Sequence, residues 1–491
     1  MAKELPDKNS FDTEYPKANL KGQVVRGGMW VFALRITDQI FRLVRTVVLA
    51  GILAPSDFGL FGIALLAMSA LETFSQTGFS LALIQKKGDT KPYLDTAWTV
   101  QVIRGILLAL IAFLIAPYVA IFFDAPMAKP ILQVISFSML LQGFTSVGVL
   151  YFQKELEFHK QFVYMFSGTL ADMGVAISAA FLLKSVWALV FGLLAGNFVR
   201  MIASYFIHPY RPRLGFNIKQ FKELTGFGKW IFGSSIILFL LMQGDAAMVG
   251  KVLGVTSLGF YQLAYRLSNM PATEITHVIS QVTFPAYSKL QDNLSRLREA
   301  YMKVLQITAF LSFPIAGLIF VLAADFTEIF LGEKWTLMVP AMQALCIFGL
   351  IRSICAAIGP VFQSVGKPKI LTKVSLIQLF VMAILIYPLT IKWGILGTSV
   401  AIILPSIIAL VMCIAKARNI LRFKYGDFFK LLGIPIIIVC VMSLVTLLVQ
   451  NLLLTETNIF NFFFVTILSI VIYSGIIILF NKELIVIILR K

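Results

Sequence analysis

The chain has 491 residues, 59% of them apolar and only 13% charged, with a formal charge of +18 and a mean hydropathy of +0.88. A soluble domain of this size would carry roughly a quarter charged residues, and only a bilayer lets so much apolar surface stay uncovered. The chain therefore reads as an all-α integral membrane protein, a bundle of spans of ~20 residues each and not a string of soluble domains.

Residues 1–21 are polar, with Lys3, Glu4, Asp7, Lys8, Asp12, Glu14 and Lys17, and no apolar core precedes a cleavage site. They read as a cytoplasmic tail and not a signal peptide. Apolar runs of spanning length then predict fourteen transmembrane helices. They lie near 24–49, 58–84, 94–120, 131–152, 161–183, 186–207, 226–249, 254–284, 301–323, 336–363, 370–389, 394–415, 431–450 and 459–480. With the N-terminus inside, thirty of the 42 Lys and Arg fall in inner segments. The outer loops hold only Lys129, Lys184, Lys251, Lys334 and Lys392. This positive-inside bias predicts a multi-pass membrane protein with both termini cytoplasmic. The basic charge is an orientation signal and a match to anionic membrane lipids; nucleic-acid binding is not needed to explain it.

Spans 1 and 2 match spans 7 and 8 at a constant offset of 200. Gly28, Trp30 and Phe32 align with Gly228, Trp230 and Phe232, and residues 52–59 (ILAPSDFG) with 252–259 (VLGVTSLG). Ser69, Thr73 and Ser80 match Asn269, Thr273 and Ser280, and Trp187-Ala188-Leu189 is echoed by Trp393-Gly394-Ile395. An even number of spans separates the copies, so they run parallel. That predicts two pseudo-symmetric six-helix lobes, with substrate between them. The expected divisions are a tail at 1–21, lobes at 22–207 and 226–415, a cytoplasmic interfacial linker at 208–225, and two additional helices in 416–491.

Span 1 carries Arg35, Asp38, Arg42 and Arg45 at spacings that place all four on one helix face. An arginine at mid-bilayer costs about 2.5–3.5 kcal/mol on lenient scales, so the stripe must face protein or water, although Arg45 can snorkel to the far interface. Two readings stand: structural pairs of Asp38 with Arg35 and Arg42, or the wall of an anion-accepting cavity. Span 2 shows Ser69, Glu72, Gln76 and Ser80. Span 8 shows Gln262, Arg266, Asn269, Thr273 and His277, interrupted by Pro271. Single charges stand at Arg104, Asp172, Arg200, Asp245, Glu274 and Arg352. Arg104 and Arg200 sit where they can snorkel, and Asp245 where it can cap its helix. The intramembrane cations are all Arg, whose planar fork suits phosphate; a pyrophosphate head group fits such a cavity better than a cationic drug does.

No Gly-rich phosphate loop followed by Lys occurs, so nothing points to ATP. Histidines occur only at 159, 208 and 277, and Cys346, Cys355, Cys413 and Cys440 all sit in apolar segments, so no metal site or cofactor is expected. The outer loops are too short for a glycosyl polymerase site. The chain reads as a transporter and not an enzyme.

Three motifs carry a resemblance. They are Leu53-Ala54-Pro55-Ser56-Asp57-Phe58-Gly59, the run from Leu258 to Arg266 (LGFYQLAYR), and the run from Phe284 to Asp292 (FPAYSKLQD). On these the chain resembles the Wzx-type polysaccharide transporter (oligosaccharide flippase) family, in the superfamily that also holds MATE drug exporters and the lipid II flippase. The likeness is strongest to the colanic-acid-exporter branch. The resemblance implies a V-shaped pair of six-helix lobes around a cationic cavity, with two further C-terminal helices. By alternating access it would move undecaprenyl-pyrophosphate-linked oligosaccharide to the outer leaflet for lipopolysaccharide, capsule or exopolysaccharide assembly. Arg35, Arg42 and Arg266 occupy helical places similar to arginines needed in the lipid II flippase. The expected substrate-binding set is Arg35, Arg42, Arg266, Arg352, Gln262 and Asn269, with Asp38 or Glu72 taking up H⁺ or Na⁺ to reset the cycle. A polysaccharide polymerase and a chain-length regulator are candidate partners. The alternatives are a lipid II flippase and a MATE-like multidrug exporter; the latter predicts an acidic cavity.

Overall fold

The computed structural model describes residues 20–75, 91–155, 157–225, 228–453 and 458–480, and among these there is no strand. The first six long helices are α1 (Leu20–Ile52), α2 (Pro55–Phe74), α3 (Lys91–Phe122), α4 (Ala128–Phe144), α5 (Phe158–Leu183) and α6 (Trp187–Ile207). The next set is α7 (Gly228–Val252), α8 (Gly254–Ser288), α9 (Leu294–Phe326), α10 (Val339–Ser364) and α11 (Lys369–Leu421). The chain then adds α12 (Tyr425–Leu453) and α13 (Ile459–Phe480), which pack on each other and on α9. Below, the end of the bundle where α1 finishes is called distal and the other proximal.

Ten helices among the described residues are long and apolar enough to cross a membrane, against the fourteen expected. The difference has physical causes. The polar residues of α1 and α8 lower their hydropathy, and α4 has only 17 residues. The 53-residue α11 counts once, although Gly394 breaks it with φ +60° at the boundary expected between two spans. Thr390 and Thr398 hydroxyls meet at 2.8 Å across that break and hold its two arms together. Span 4 was expected to reach residue 152. Instead α4 ends at Thr145, whose ψ of 135° leaves the helical region, and Ser146 starts a new turn by accepting from the Gly148 amide at 3.3 Å. Large apolar side chains such as Leu182, Phe206 and Ile121 stay exposed, as a lipid-facing surface requires.

Helices α1–α6 pack among themselves, as do α7–α11, and the two groups meet mainly where α2 crosses α8. The crossing is made by the repeat itself. A Cβ added at Gly59 would lie 1.9 Å from the Val255 carbonyl oxygen, and one at Gly259 would lie 1.9 Å from that of Pro55. The two contacts are exchanged by the offset of 200, so the repeat is a real structural symmetry. In the first copy Asp57 also joins three pieces of chain. Its carboxylate accepts from the Ala54 amide at 2.9 Å, completing the start of α2 behind Pro55, and from the Val186 amide before α6 at 3.0 Å.

More contacts seal the distal end. Trp335 is fully buried, its ring edge-on to Phe58 and Phe260, and its indole N–H donates to the Ala50 carbonyl at 2.9 Å. Lys334 reaches the Gly51 carbonyl at 2.8 Å, satisfying another free carbonyl at the end of α1. Lys251 pairs with Asp124 at 2.8 Å between the two helix groups. At the proximal end the segment 208–225 lies against the start of α3. Tyr210 donates to Asp95, the Arg213 amide follows at 3.1 Å, and Thr96 donates to Gln220 at 2.6 Å.

Gly259→Ala is expected to force α2 from α8 and lower the Tm of the detergent-solubilised protein, a loss of about 1–3 kcal/mol typical of overpacking. Gly433→Ala on α12, where an added Cβ meets nothing within 4 Å, should leave Tm unchanged or raise it, because alanine is the better helix former.

Candidate functional site

Proximal to the crossing lies a cavity of about 470 Å³, lined by α1, α2, α4, α6, α7 and α8. Its size falls within the ~300–1,000 Å³ common for small-molecule sites. Apolar residues such as Phe58, Phe61, Leu189 and Leu193 form much of the lining, and polar and ionisable groups are set among them.

One wall is cationic. Arg45 on α1 is only 7% exposed and pairs with Asp172 of α5 at 2.8 Å, while its buried Nε has no partner among the described residues. It lines the cavity and does not snorkel to the interface, contrary to what its place in span 1 allows. Arg266 faces the cavity from α8 as an exposed side chain, with no ion pair or hydrogen bond among the described residues. The charges close enough to act on it are Arg45, Arg42 and Asp172.

The rest of the polar lining is made of hydroxyl, amide and carboxylate groups. It presents Ser69 and Glu72 of α2, Gln142 of α4, and Gln243 and Asp245 of α7. Asp245 is 2% exposed and accepts a 2.7 Å hydrogen bond from Tyr261 of α8. It stands seven residues before the end of α7, so it does not cap that helix. Arg45 and Asp245 occupy equivalent positions of the repeat, yet they carry opposite charges. The lining therefore holds two guanidiniums and two carboxylates, and the cavity is divided by sign where a cationic one was expected.

Of the residues expected to bind substrate, Arg266 and Gln262 line the cavity, as does Glu72, which was expected to couple an ion. Arg42 and Asp38 lie beside it as a 2.7 Å pair one turn apart on α1, and Thr169 donates to Asp38 at 2.6 Å. The i, i+4 pair that the spacing of span 1 allows between these two residues is therefore formed. Asn269 is buried behind Tyr265, to whose carbonyl its amide donates at 3.2 Å. Arg352 is further back, 3.5 Å from the Tyr265 hydroxyl and 5.8 Å over the Phe348 ring. Neither belongs to the lining. The side chains of Arg35, Glu274 and His277 lie outside the described residues. Arg104 does not snorkel. It donates to the Ser75 and Glu72 carbonyls at 3.0 and 3.1 Å and thereby caps the C-terminal end of α2.

Gln142 and Gln243 carry no sequence signal of a site, because an isolated amide in an apolar run has no pattern, whereas Tyr261 lies within the run from Leu258 to Arg266. Asp245 had one: it stands 200 residues after Arg45. A second, apolar pocket of about 230 Å³ lies between α1, α8, α9, α10 and α13, lined by Leu43, Leu267, Met270, Leu322 and Phe462 among others. Among the described residues no cluster of three His, Cys, Asp or Glu could hold a metal.

The family described as polysaccharide biosynthesis protein matches residues 48–340. The chain is 26% identical over 422 residues to the lipopolysaccharide biosynthesis protein WzxC of Escherichia coli (strain K12), covering 85% of each. It is 24% identical over 356 residues to the succinoglycan biosynthesis transport protein ExoT of Rhizobium meliloti (strain 1021), covering 72% of each. Among solved structures it is similar to the lipid II flippase MurJ in an inward closed conformation. The TM-score is 0.75 at 17% identity, over 93% of this chain and 100% of that one, a likeness of fold.

Removing one partner of the Arg45–Asp172 pair leaves a buried charge alone, at a cost of about 3–5 kcal/mol. Arg45→Met or Asp172→Leu alone should therefore depress Tm, and the double variant should recover most of the loss. Additive losses in thermal melts of the purified protein would contradict the pairing.

Proposed function

The chain belongs to the polysaccharide biosynthesis protein family, and we propose that it is a flippase for undecaprenyl-pyrophosphate-linked oligosaccharide repeat units. It would carry them from the inner to the outer leaflet of the cytoplasmic membrane for lipopolysaccharide, capsule or exopolysaccharide assembly. The observation that supports this most is Arg266, in a cavity between two helix groups and without an ion pair or hydrogen bond among the described residues, beside Arg45, whose buried Nε has no partner among them either.

An arginine in the membrane is costly unless something compensates it, and a pyrophosphate supplies the charge and the acceptor geometry. The apolar pocket against α1 and α8 suits a polyprenyl chain, which lets the head group enter the cavity while the tail stays in a lipid-like environment. The distal contacts of Trp335, Lys334 and Lys251 leave the cavity on the proximal side. The charge bias supports reading that side as the cytoplasm, with both termini on it. Release of these contacts and closure of the proximal end would complete alternating access. An anion moving outward gains about 2.3 kcal/mol per charge per 100 mV from the membrane potential. A proton or Na⁺ taken up at Glu72, which faces the cavity, or at Asp38 resets the empty carrier. A MATE-like drug exporter fits the guanidiniums poorly. A lipid II flippase shares the same head-group chemistry and is separated by substrate.

Arg266→Ala should cut translocation of an undecaprenyl-pyrophosphate glycan into proteoliposomes by more than about tenfold, as loss of a charged contact does, with insertion and Tm preserved. Wild-type transport by this variant would remove the head-group role from Arg266.

A further inference from the structure

Resting on the flippase reading, we propose that the α2/α4/α7 wall recognises the sugar attached to the pyrophosphate and favours a neutral sugar over an acidic one at that position. The observation is the division of the cavity by sign. Arg45 and Arg266 stand on α1 and α8, whereas Glu72, Gln142, Gln243 and Asp245 stand on α2, α4 and α7, and neither lining carboxylate is among the charges close enough to act on Arg266. Once the phosphates occupy the guanidiniums, the first sugar meets the remaining wall, because one pyrophosphate joins tail to glycan and the tail leaves on the α1/α8 side.

The wall has the chemistry of a sugar subsite. Carboxylates accept from hydroxyls, and primary amides both donate and accept, which matches hydroxyl and acetamido groups. Gln142 is exposed and Glu72 partly so, with the two side by side. Asp245 is held by Tyr261 and adds a buried negative charge behind the surface. The cation that acts on Glu72 is Arg104, whose guanidinium is engaged with the end of α2 and Ser75. The carboxylate of a uronic acid brought here would face two like charges across a poorly hydrated space, an unfavourable juxtaposition. A Glu72 that has released its sugar can then carry the returning ion, so its two roles follow one another.

The test uses the full-length protein in proteoliposomes and three probes: undecaprenyl pyrophosphate without sugar, with N-acetylglucosamine, and with glucuronic acid. Wild type should move the N-acetylglucosamine form about tenfold faster than the glucuronate form, a discrimination set by repulsion. Glu72→Gln and, separately, Asp245→Asn should each narrow that ratio to below about threefold by removing a like charge. Using a ratio keeps the result independent of how much folded variant is recovered. Equal wild-type rates for the two glycosylated probes, or an unchanged ratio in both variants, overturns the sugar wall while leaving the flippase reading intact. If no probe moves, including the sugar-free one, the flippase reading fails and the sugar wall falls with it.

Discussion

The backbone carbonyls of Pro55 and Val255 each lie where a side chain on the opposing glycine would collide, and this reciprocal contact sets how closely α2 and α8 cross. Everything central to the molecule follows from that distance. The close approach brings the first turns of both helices together at the distal end, where Trp335 fills the space between Phe58 and Phe260. Further along, the helices leave room for a cavity, and residues about one to four turns from the crossing become its lining: Ser69 and Glu72 from α2, Gln262 and Arg266 from α8. Small residues at such crossings let dispersion and backbone contacts replace the hydrophobic driving force that lipid does not provide.

Much of the architecture is legible in the sequence, for simple reasons. Hydropathy marks each long apolar helix because lipid demands it, and the offset of 200 between Gly59 and Gly259 marks the crossing because only glycine fits there. Gly394 lies at the boundary that the apolar runs leave between two spans, and its positive φ supplies the break. What fails is detail that depends on contacts made in three dimensions. Thr145 ends α4 within an apolar run, and Arg104 finds the carbonyls of another helix. Neither partner is visible to a reading along one helix.

The cavity shows the same division. Arg266, Gln262 and Glu72 stand out as polar groups in spans, and all three line the space between the helix groups. Counting arginines suggests a cavity of one sign, but pairing changes the balance. Asp172 pairs with Arg45 and Asp38 with Arg42, leaving Arg266 as the guanidinium in the lining without a carboxylate of its own among the described residues. A charge count along the sequence weighs every residue alike, whereas the field inside the protein depends on which charges already have partners.

The charge difference between positions 45 and 245 has a consequence for how such a chain could have arisen. Two identical subunits meeting about a twofold axis present the same residue at every equivalent place. The crossing at Gly59 and Gly259 would work unchanged in such a homodimer, since each glycine needs only the carbonyl of its twin. Arg45 and Asp245 would not, because a homodimer can place two arginines or two aspartates there but never one of each. A chamber with a positive and a negative side therefore requires two halves that differ in sequence, as the two copies within this one chain do. Carrying both copies in one chain leaves the chamber free of the symmetry that the Gly59–Gly259 crossing retains.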